Sequence, residues 1–435
     1  MTFTRIRKLW DSLTSSYWFV PLILIVAALL AAKILTAIDR GRLLADLPTW
    51  LDAGQPESAR VVLSTIASST ITIASLTFSI TIVALTLASG QFGSRLLYNF
   101  MRSRVNQFVL GAFVGIYVYC TMVLQSIRSG TEDLFVPHLA VTVALGFAVT
   151  GSAILIFFIH HIAKSIQVTS VITAVRTDLC KSIERFFPER TAGDDAPTPR
   201  LHDTKKTADV RAICSGIVQA IDIAGLAKLA SEHDVRIHLR RRPGDYVIEG
   251  AVLAELHGTG TLPASTACDM QALFVFGSRR TLIQDVEFAM LQLVEIAVRA
   301  LSPGINDPFT ACSCLDELGS GIASIMLRSS IATTVQDKDG VVRVVVDTTT
   351  FEGIVNAAFN QIRQHGQGDV AVVIKILDVL RELCLLADRD EHFAALQSQA
   401  QATFQAALQG DHHERDREEI RTRYEKVIAV CDAAA

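Results

Sequence analysis

The chain has 435 residues, 50% of them apolar and 19% charged, with a formal net charge of −4. At a mean hydropathy of +0.37, this composition excludes a disordered chain and points to a membrane protein that also carries a soluble part. The near-balanced charge, without a basic run, excludes an electrostatic nucleic-acid binder.

Four apolar segments open the sequence: Tyr17–Ile38, Val61–Ala88, Phe108–Leu124 and Leu139–Ile159. Each falls within, or exceeds, the roughly 17–25 residues that cross a bilayer. The first is too long for a signal peptide and lacks a small-residue cleavage site, so it reads as a retained span. Its Lys33 lies near one end, where the ammonium can snorkel to the interface, and gets no function.

The second span holds no charge but many hydroxyls. Ser64, Ser68, Thr72, Ser75, Ser79, Thr86 and Ser89 recur at three-four spacing, broken at Ile82, and mark one stripe of a helix. Two readings stand: small residues let helices pack closely, or the stripe lines a water-filled path in an oligomer. Thr70, Thr77 and Thr81 lie off it. At its end Gln91, Arg95, Arg102 and Arg104 form a cationic collar, suited to lipid phosphates or to attracting anions. Gly111 and Gly115 in the third span make a Gly-x-x-x-Gly pair, a sign of close helix packing. Basic residues at Arg5, Arg7 and Lys8, and again at Arg95, Arg102 and Arg104, put both chain ends on the cytoplasmic side of the membrane. His160 and His161, at the end of the fourth span, face different directions.

Residues 1–163 thus form the membrane domain. From 164 to 187 an apolar stripe at Val168, Val171, Val175, Leu179, Ile183 and Phe186 continues as a helical connector. The Pro- and charge-rich stretch 188–208 reads as a linker. Residues 209–278 read as β-rich, with strands at Ala212–Asp222, Val235–Leu239, Tyr246–Ile248 and Ala251–Leu256, a helix at Ile223–Glu232 and a tight turn at Arg242–Asp245. Ser215-Gly216-x-Val218 and Gly244-Asp245-x-Val247-x-x-Gly250-x-x-Leu253 are similar to the barrel-sandwich fold of biotinyl and lipoyl domains. The attachment lysine has no counterpart, so no swinging cofactor is expected.

Residues 279–410 read as helical, with helices at Leu282–Leu301, Pro308–Leu327, Phe351–Gln364, Asp369–Ala387 and Asp390–Leu408 and a hairpin at Asp337–Gly340. Residues 411–435 add a charged helix whose Ile420, Tyr424, Val427 and Cys431 suit docking or a short coiled coil. The eight cysteines are scattered and read as reduced thiols, with no metal site. In the Pro303–Pro308 loop, Ser302, Gly304, Asn306 and Asp307 could bind a ligand or cation, or serve only to end one helix and cap the next. Arg279 and Arg280 nearby could meet an anion or stay solvated. Hydrolase elbows, phosphate-binding loops, zinc-protease helices and paired zinc cysteines are all missing, so no enzyme activity and no cofactor are expected.

Two stretches are specific enough to suggest a family. Ala84-Leu85-Thr86-Leu87-Ala88-Ser89-Gly90-Gln91-Phe92-Gly93-Ser94-Arg95-Leu96-Leu97-x-x-Phe100 and Arg299-Ala300-Leu301-Ser302-Pro303-Gly304-Ile305-Asn306-Asp307-Pro308-Phe309-Thr310-Ala311 resemble the signature segments of the bacterial membrane proteins grouped as domain of unknown function 2254. The resemblance covers nearly the whole chain and implies no activity. The expected architecture is a membrane α-helical domain of four transmembrane helices, then a cytoplasmic α/β domain with a small barrel-sandwich-like β module and a helical remainder. The expected function is an oligomeric channel or transporter-like protein gated by that domain, the alternative being a non-conducting membrane-anchored sensor or scaffold. Its partners would be the lipid bilayer, further copies of the chain, and a small ligand or ion on the cytoplasmic domain.

Overall fold

The computed structural model describes residues 18–41, 55–93, 104–129, 134–187, 189, 206–258, 264–329 and 333–434. They fall into two compact units, Met1–Ser170 and Val171–Ala435.

The first unit is built from α1 (Phe19–Arg40), α2 (Pro56–Phe92), α3 (Arg104–Ser126) and α4 (His138–Ser165), with a two-stranded ribbon of β1 (Arg128–Ser129) and β2 (Leu134–Phe135) between the last two. All four helices are long and apolar enough to cross a membrane. Their outward faces carry large apolar side chains in water-accessible positions, among them Leu22, Ile34, Phe78, Val149 and Ile156, at 45–74% exposure. A soluble monomer does not tolerate apolar surface on that scale, whereas lipid does.

Half of the apolar window of α3 is buried, against 11% for α1, which makes α3 the centre of the unit. Phe113, Tyr119, Cys120 and Val123 on α3 are fully buried. Gly111 and Gly115 bring α1 against α3. A methyl added at Gly111 would lie 2.7 Å from Pro21 Cα and 2.8 Å from Leu24 Cδ1; at Gly115 its nearest neighbour would be Leu24 O at 3.4 Å. The α2 helix packs through Ala59, Leu63, Ile66, Ala67, Thr70, Ala74, Thr77 and Ala84, all buried.

The second unit starts with α5 (Val168–Phe186), separated from α4 by Ile166 and Gln167. Two open sheets follow. The larger runs in the order β3 (Lys206–Arg211), β7 (Val252–His257), β5 (Arg236–Leu239), β10 (Val342–Val346), β9 (Thr334–Gln336); the smaller runs β6 (Tyr246–Val247), β4 (Gly216–Ile221), β8 (Phe274–Gly277). With α6 (Ile223–Glu232) and α7 (Ala264–Gln271) they enclose one core, including Val210, Val218, Leu226, Ile237, Leu256, Phe274 and Val344. Among the described residues one sheet pair is parallel, β5 with β10. The barrel-sandwich detail is not borne out: β10 arrives from the hairpin to extend the sheet beyond β5, and among the described residues the strands form no closed barrel. Strand β3 begins within the stretch expected to be linker, whose remainder lies largely outside the described residues.

The helical layer comprises α8 (Val286–Ala300), α9 (Pro308–Met326), α10 (Phe351–Gly366), α11 (Val370–Leu386), α12 (Asp390–Leu408) and α13 (Glu414–Ala434). Four of these helices start with the same device, a side-chain oxygen accepting a first-turn N–H: Asp285 from Phe288, Asp307 from Thr310, Thr350 from Gly353 and Asp369 from Val372, at 3.0–3.1 Å. Two glycines on α9 admit its neighbours. A methyl at Gly319 would fall 2.5 Å from Val379 Cγ1 of α11, and one at Gly321 would fall 2.7 Å from Leu179 Cδ2 of α5. Helix α13 docks by burying Ile420, Val427 and Cys431, stacking Tyr424 on Phe404 at 4.5 Å between ring centroids, and pairing Arg423 with both oxygens of Asp378 at 2.7 and 2.9 Å. Cys431 Sγ lies 3.0 Å from Cys384 Sγ, a proximity invisible in the sequence.

The two glycines of α3 make a graded prediction. Gly111→Ala must displace backbone of α1 and should cost about 1–3 kcal/mol, the usual penalty of overpacking, whereas Gly115→Ala should be nearly neutral. Thermal unfolding of the purified protein in detergent checks this; equal effects would mean that α1 does not pack where described.

Candidate functional site

The hydroxyl stripe lies on the outside of its unit. Ser64, Ser68, Thr72, Ser75, Ser79 and Thr86 are exposed and Ser89 is half-buried. At 100° per residue this face is roughly opposite the buried face of α2. The hydroxyls that pack against neighbouring helices within the chain are instead Thr70 and Thr77, 4% and 2% exposed, which lie off the stripe. Each stripe hydroxyl from Ser64 to Thr86 donates to a carbonyl of its own helix, three or four residues back. Ser68 donates to Thr65 O at 3.1 Å, Thr72 to Ser68 O at 2.8 Å, Ser75 to Ile71 O at 3.1 Å and Ser79 to Ser75 O at 3.0 Å. Their hydrogens are therefore spent, and the stripe presents oxygen lone pairs outward.

Of the collar, Gln91 and Arg104 are exposed, while Arg95 and Arg102 lie outside the described residues. Close to Arg104, Asn106 and Gln107 are 4% and 1% exposed. Asn106 Oδ1 and both amide atoms of Gln107 have no hydrogen-bond partner among the described residues. Such buried, unpaired polar atoms cost about 1–3 kcal/mol each, so they concentrate polarity at this end of α3 at the expense of stability.

At the opposite end of α3 a polar clamp joins all four helices. Helix α4 begins after Pro137 without a capping side chain of its own. Asp39 of α1 supplies the cap, accepting from Leu139 N at 3.2 Å and Ala140 N at 3.1 Å. Tyr119 of α3 donates to Ala140 O at 2.9 Å, and Arg60 of α2 donates to Ile127 O at 3.0 Å. From the sequence Asp39 counts only as a loop charge. The missed signal is the absence of Ser, Thr, Asp or Asn before His138.

In the second unit the Ser302–Asp307 segment forms a tight corner between α8 and α9. Ser302 Oγ donates to Arg299 O at 2.6 Å, and Asp307 accepts from Thr310 N at 3.1 Å and Thr310 Oγ1 at 2.6 Å. Backbone bonds Asn306 N to Ser302 O, 2.9 Å, and Asp307 N to Ala300 O, 2.8 Å, close the turn. Asn306 takes φ +50°, which asparagine tolerates better than most residues. Capping thus occupies the polar groups of Ser302 and Asp307. Gly304 and Asn306 are exposed, beside Ile305 at 40% and Phe309 at 85% exposure. An aromatic ring that bare directly follows a helix-starting Pro308, a position where the sequence suggested only capping.

Arg280 is neither solvated nor available to an anion. Its Nε and Nη2 bind the two oxygens of Asp285 at 2.7 and 2.9 Å, and it approaches Glu287 at 3.7 Å. Burial pushes the Asp285 carboxyl above its ordinary range while the guanidinium pulls it back. Arg242, which joins the same network through Glu287 at 3.2 Å and through Thr349 Oγ1, opens the predicted turn, where Gly244 has φ +100°. The network ties the smaller sheet to α8.

Among the described residues one group of side chains offers metal-type ligands: His238, Glu255 and His257, on the outer face of the larger sheet, have ligand atoms within 4.8 Å of one another. Glu255 is already engaged, by Arg240 at 2.7 Å and Lys206 at 3.0 Å. Those hydrogen bonds hold its carboxyl down at about 2. A divalent ion there would have to displace a guanidinium, so the geometry favours an ion-pair network. The sequence hides this group because its members meet only through the β5–β7 register, His238 opposite Glu255.

Asp285→Ala would remove a helix cap and strand the buried Arg280 charge. It should destabilise the protein by about 3–5 kcal/mol, the cost of breaking a buried pair from one side, read as loss of thermal stability in the purified chain. A shift no larger than that of an exposed-site alanine control would contradict the buried network.

The family model described as a predicted membrane protein, DUF2254, matches residues 14–382. An uncharacterized protein of Mycobacterium tuberculosis and one of Mycobacterium bovis are each 29% identical, over 95% of this chain and 80% of the relative. No solved structure matches. The chain, with its four apolar helices ahead of a mixed helix and sheet unit, belongs to the DUF2254 family of predicted membrane proteins.

Proposed function

We propose that the protein is an oligomeric channel or transporter-like protein of the bacterial inner membrane. Both termini and the second unit lie in the cytoplasm, and that unit senses a ligand or partner and gates the membrane part. The observation that carries this reading is the outward hydroxyl stripe of α2, roughly opposite the face that packs within the chain. Copies of α2 arranged around an axis would turn that stripe into a polar wall. Asn106 Oδ1 and the Gln107 amide, buried and unpaired among the described residues, support it, because polarity kept within a span at a cost in stability points to a functional use. On the second unit, the exposed Gly304, Ile305, Asn306 and Phe309 corner suits contact with a partner. No catalytic role is assigned to any residue.

One observation favours the alternative, a non-conducting membrane-anchored sensor or scaffold. The stripe hydroxyls are already satisfied by their own helix, as Thr72 is by Ser68 O at 2.8 Å, so they can face lipid without a partner.

Liposome flux and oligomeric mass separate the two. In the channel reading, the purified protein is an oligomer that passes ions or small solutes, and replacing Ser68, Thr72, Ser75 and Ser79 together by Leu alters flux at least tenfold while the oligomer persists, as a change of about 1.4 kcal/mol along the path requires. A monomer, or an oligomer that passes nothing across a range of pH and voltage, establishes the scaffold reading instead.

A further inference from the structure

A groove between the last turns of α1 and α3 encloses about 510 Å³ and is lined by Ala32, Lys33, Thr36, Ala37, Arg40 and Gly41 on one side and Met122 and Ser126 on the other. Lys33, Thr36, Ala37 and Arg40 follow one another at helical spacing on a single face of α1. The two cations are about 10 Å apart along the helix axis, from seven residues at 1.5 Å each.

The groove has donors for an anion and little else that is charged. Thr36 Oγ1 donates to Ala32 O at 2.7 Å and Ser126 Oγ to Val123 O at 2.6 Å, so both hydroxyl hydrogens are spent. Among the described residues, the donors left without a hydrogen bond are those of Lys33 and of Arg40, whose guanidinium lies over the Phe135 ring at 5.3 Å. Among the described residues no carboxylate lines the wall. Asp39, next in sequence to Arg40, is turned away to cap α4 through Leu139 N and Ala140 N. Two cations at a membrane-spanning helix end, without an acidic partner among the described residues, call for a phosphate or a comparable anion.

The surroundings identify the source. Leu30 and Ile34, on the same stretch of α1, are 55% and 57% exposed and face outward with the lipid-compatible surface of the unit. Ala32, Ala37 and Met122 give the groove an apolar floor. A ligand entering from the bilayer brings both a charged head and an apolar tail, matching both features. We propose that this groove binds the phosphate of an anionic phospholipid in the leaflet where α1 ends, with Lys33 and Arg40 as its donors. This is independent of whether α2 lines a pore.

The test uses the full-length protein in detergent and native mass spectrometry. Dioleoyl phosphatidylglycerol is titrated against dioleoyl phosphatidylcholine, with inorganic phosphate as a separate arm. Phosphatidylglycerol should bind more tightly than phosphatidylcholine. Each basic side chain near an anionic group contributes about fivefold, so Lys33→Gln with Arg40→Gln should weaken phosphatidylglycerol binding about thirtyfold, while Lys33→Arg retains it. Ala37→Trp, at an exposed position, should fill the groove and weaken binding with both charges intact and the helical circular dichroism unchanged. Unaltered phosphatidylglycerol binding in the double variant and in Ala37→Trp overturns the proposal. So does inorganic phosphate binding as tightly as the lipid with the same Lys33 dependence, which would assign the groove to a soluble anion.

Discussion

Inside a bilayer, burying an apolar side chain between helices gains nothing over leaving it in lipid, so cohesion must come from close approach and from satisfied polar groups. Helix α3 meets both requirements. Gly111 and Gly115 remove the side chains that would hold α1 away, and Tyr119 fixes the start of α4 by donating to Ala140 O at 2.9 Å. Asp39 completes the arrangement from across the bundle. The first N–H groups of a helix have no partner within it, and α4 has no capping residue of its own, so a carboxylate some hundred residues earlier supplies what the local sequence lacks.

The second unit is held differently: none of its described helices is long and apolar enough to cross a membrane, and it closes around apolar side chains. Four helices of its helical layer begin on their own caps, Asp285, Asp307, Thr350 and Asp369, and its two sheets share one apolar core. Charge enters this framework where elements of distant sequence must be held in register. Arg280, Asp285, Glu287 and Arg242 join the smaller sheet to α8. Arg423 and Asp378 join the C-terminal helix to α11, and Arg240, Lys206 and Glu255 bind neighbouring strands. These are pairings whose geometry, more than their net energy, selects one arrangement.

Helices were legible in the sequence to within a few residues, because apolar periodicity and capping residues are local signals. Asp390–Leu408 agrees at both ends, and Asp369 is a cap just outside α11. Strands were less legible. In β3, Lys206, Thr207, Asp209 and Arg211 leave only Ala208 and Val210 as apolar residues, so a half-buried edge strand looks like linker. The short β8 and the α7 helix before it went unread, and the parallel β5–β10 pairing joins residues about a hundred positions apart, which no local pattern encodes. For the candidate site, the hydroxyl stripe is readable from spacing alone, whereas the face of α2 that packs is not: Thr70 and Thr77 look like strays until α2 meets its neighbours. Arg280 illustrates the reverse. Its charge suggests availability, and only Asp285, five residues on, removes it.

The length of α2 has a consequence for its hydroxyls. From Ser64 to Ser89 the stripe extends about 38 Å at 1.5 Å per residue, and even with a tilt of about 20° it still covers some 35 Å, more than the roughly 30 Å of hydrocarbon in a bilayer. At least one end of the row therefore stands among hydrated headgroups. Water can engage the lone pairs of that terminal hydroxyl, and the next is a single helical turn further in. The row is a line of acceptors, interrupted at Ile82, that starts in an aqueous phase, a wetting edge laid along the outside of an otherwise apolar helix.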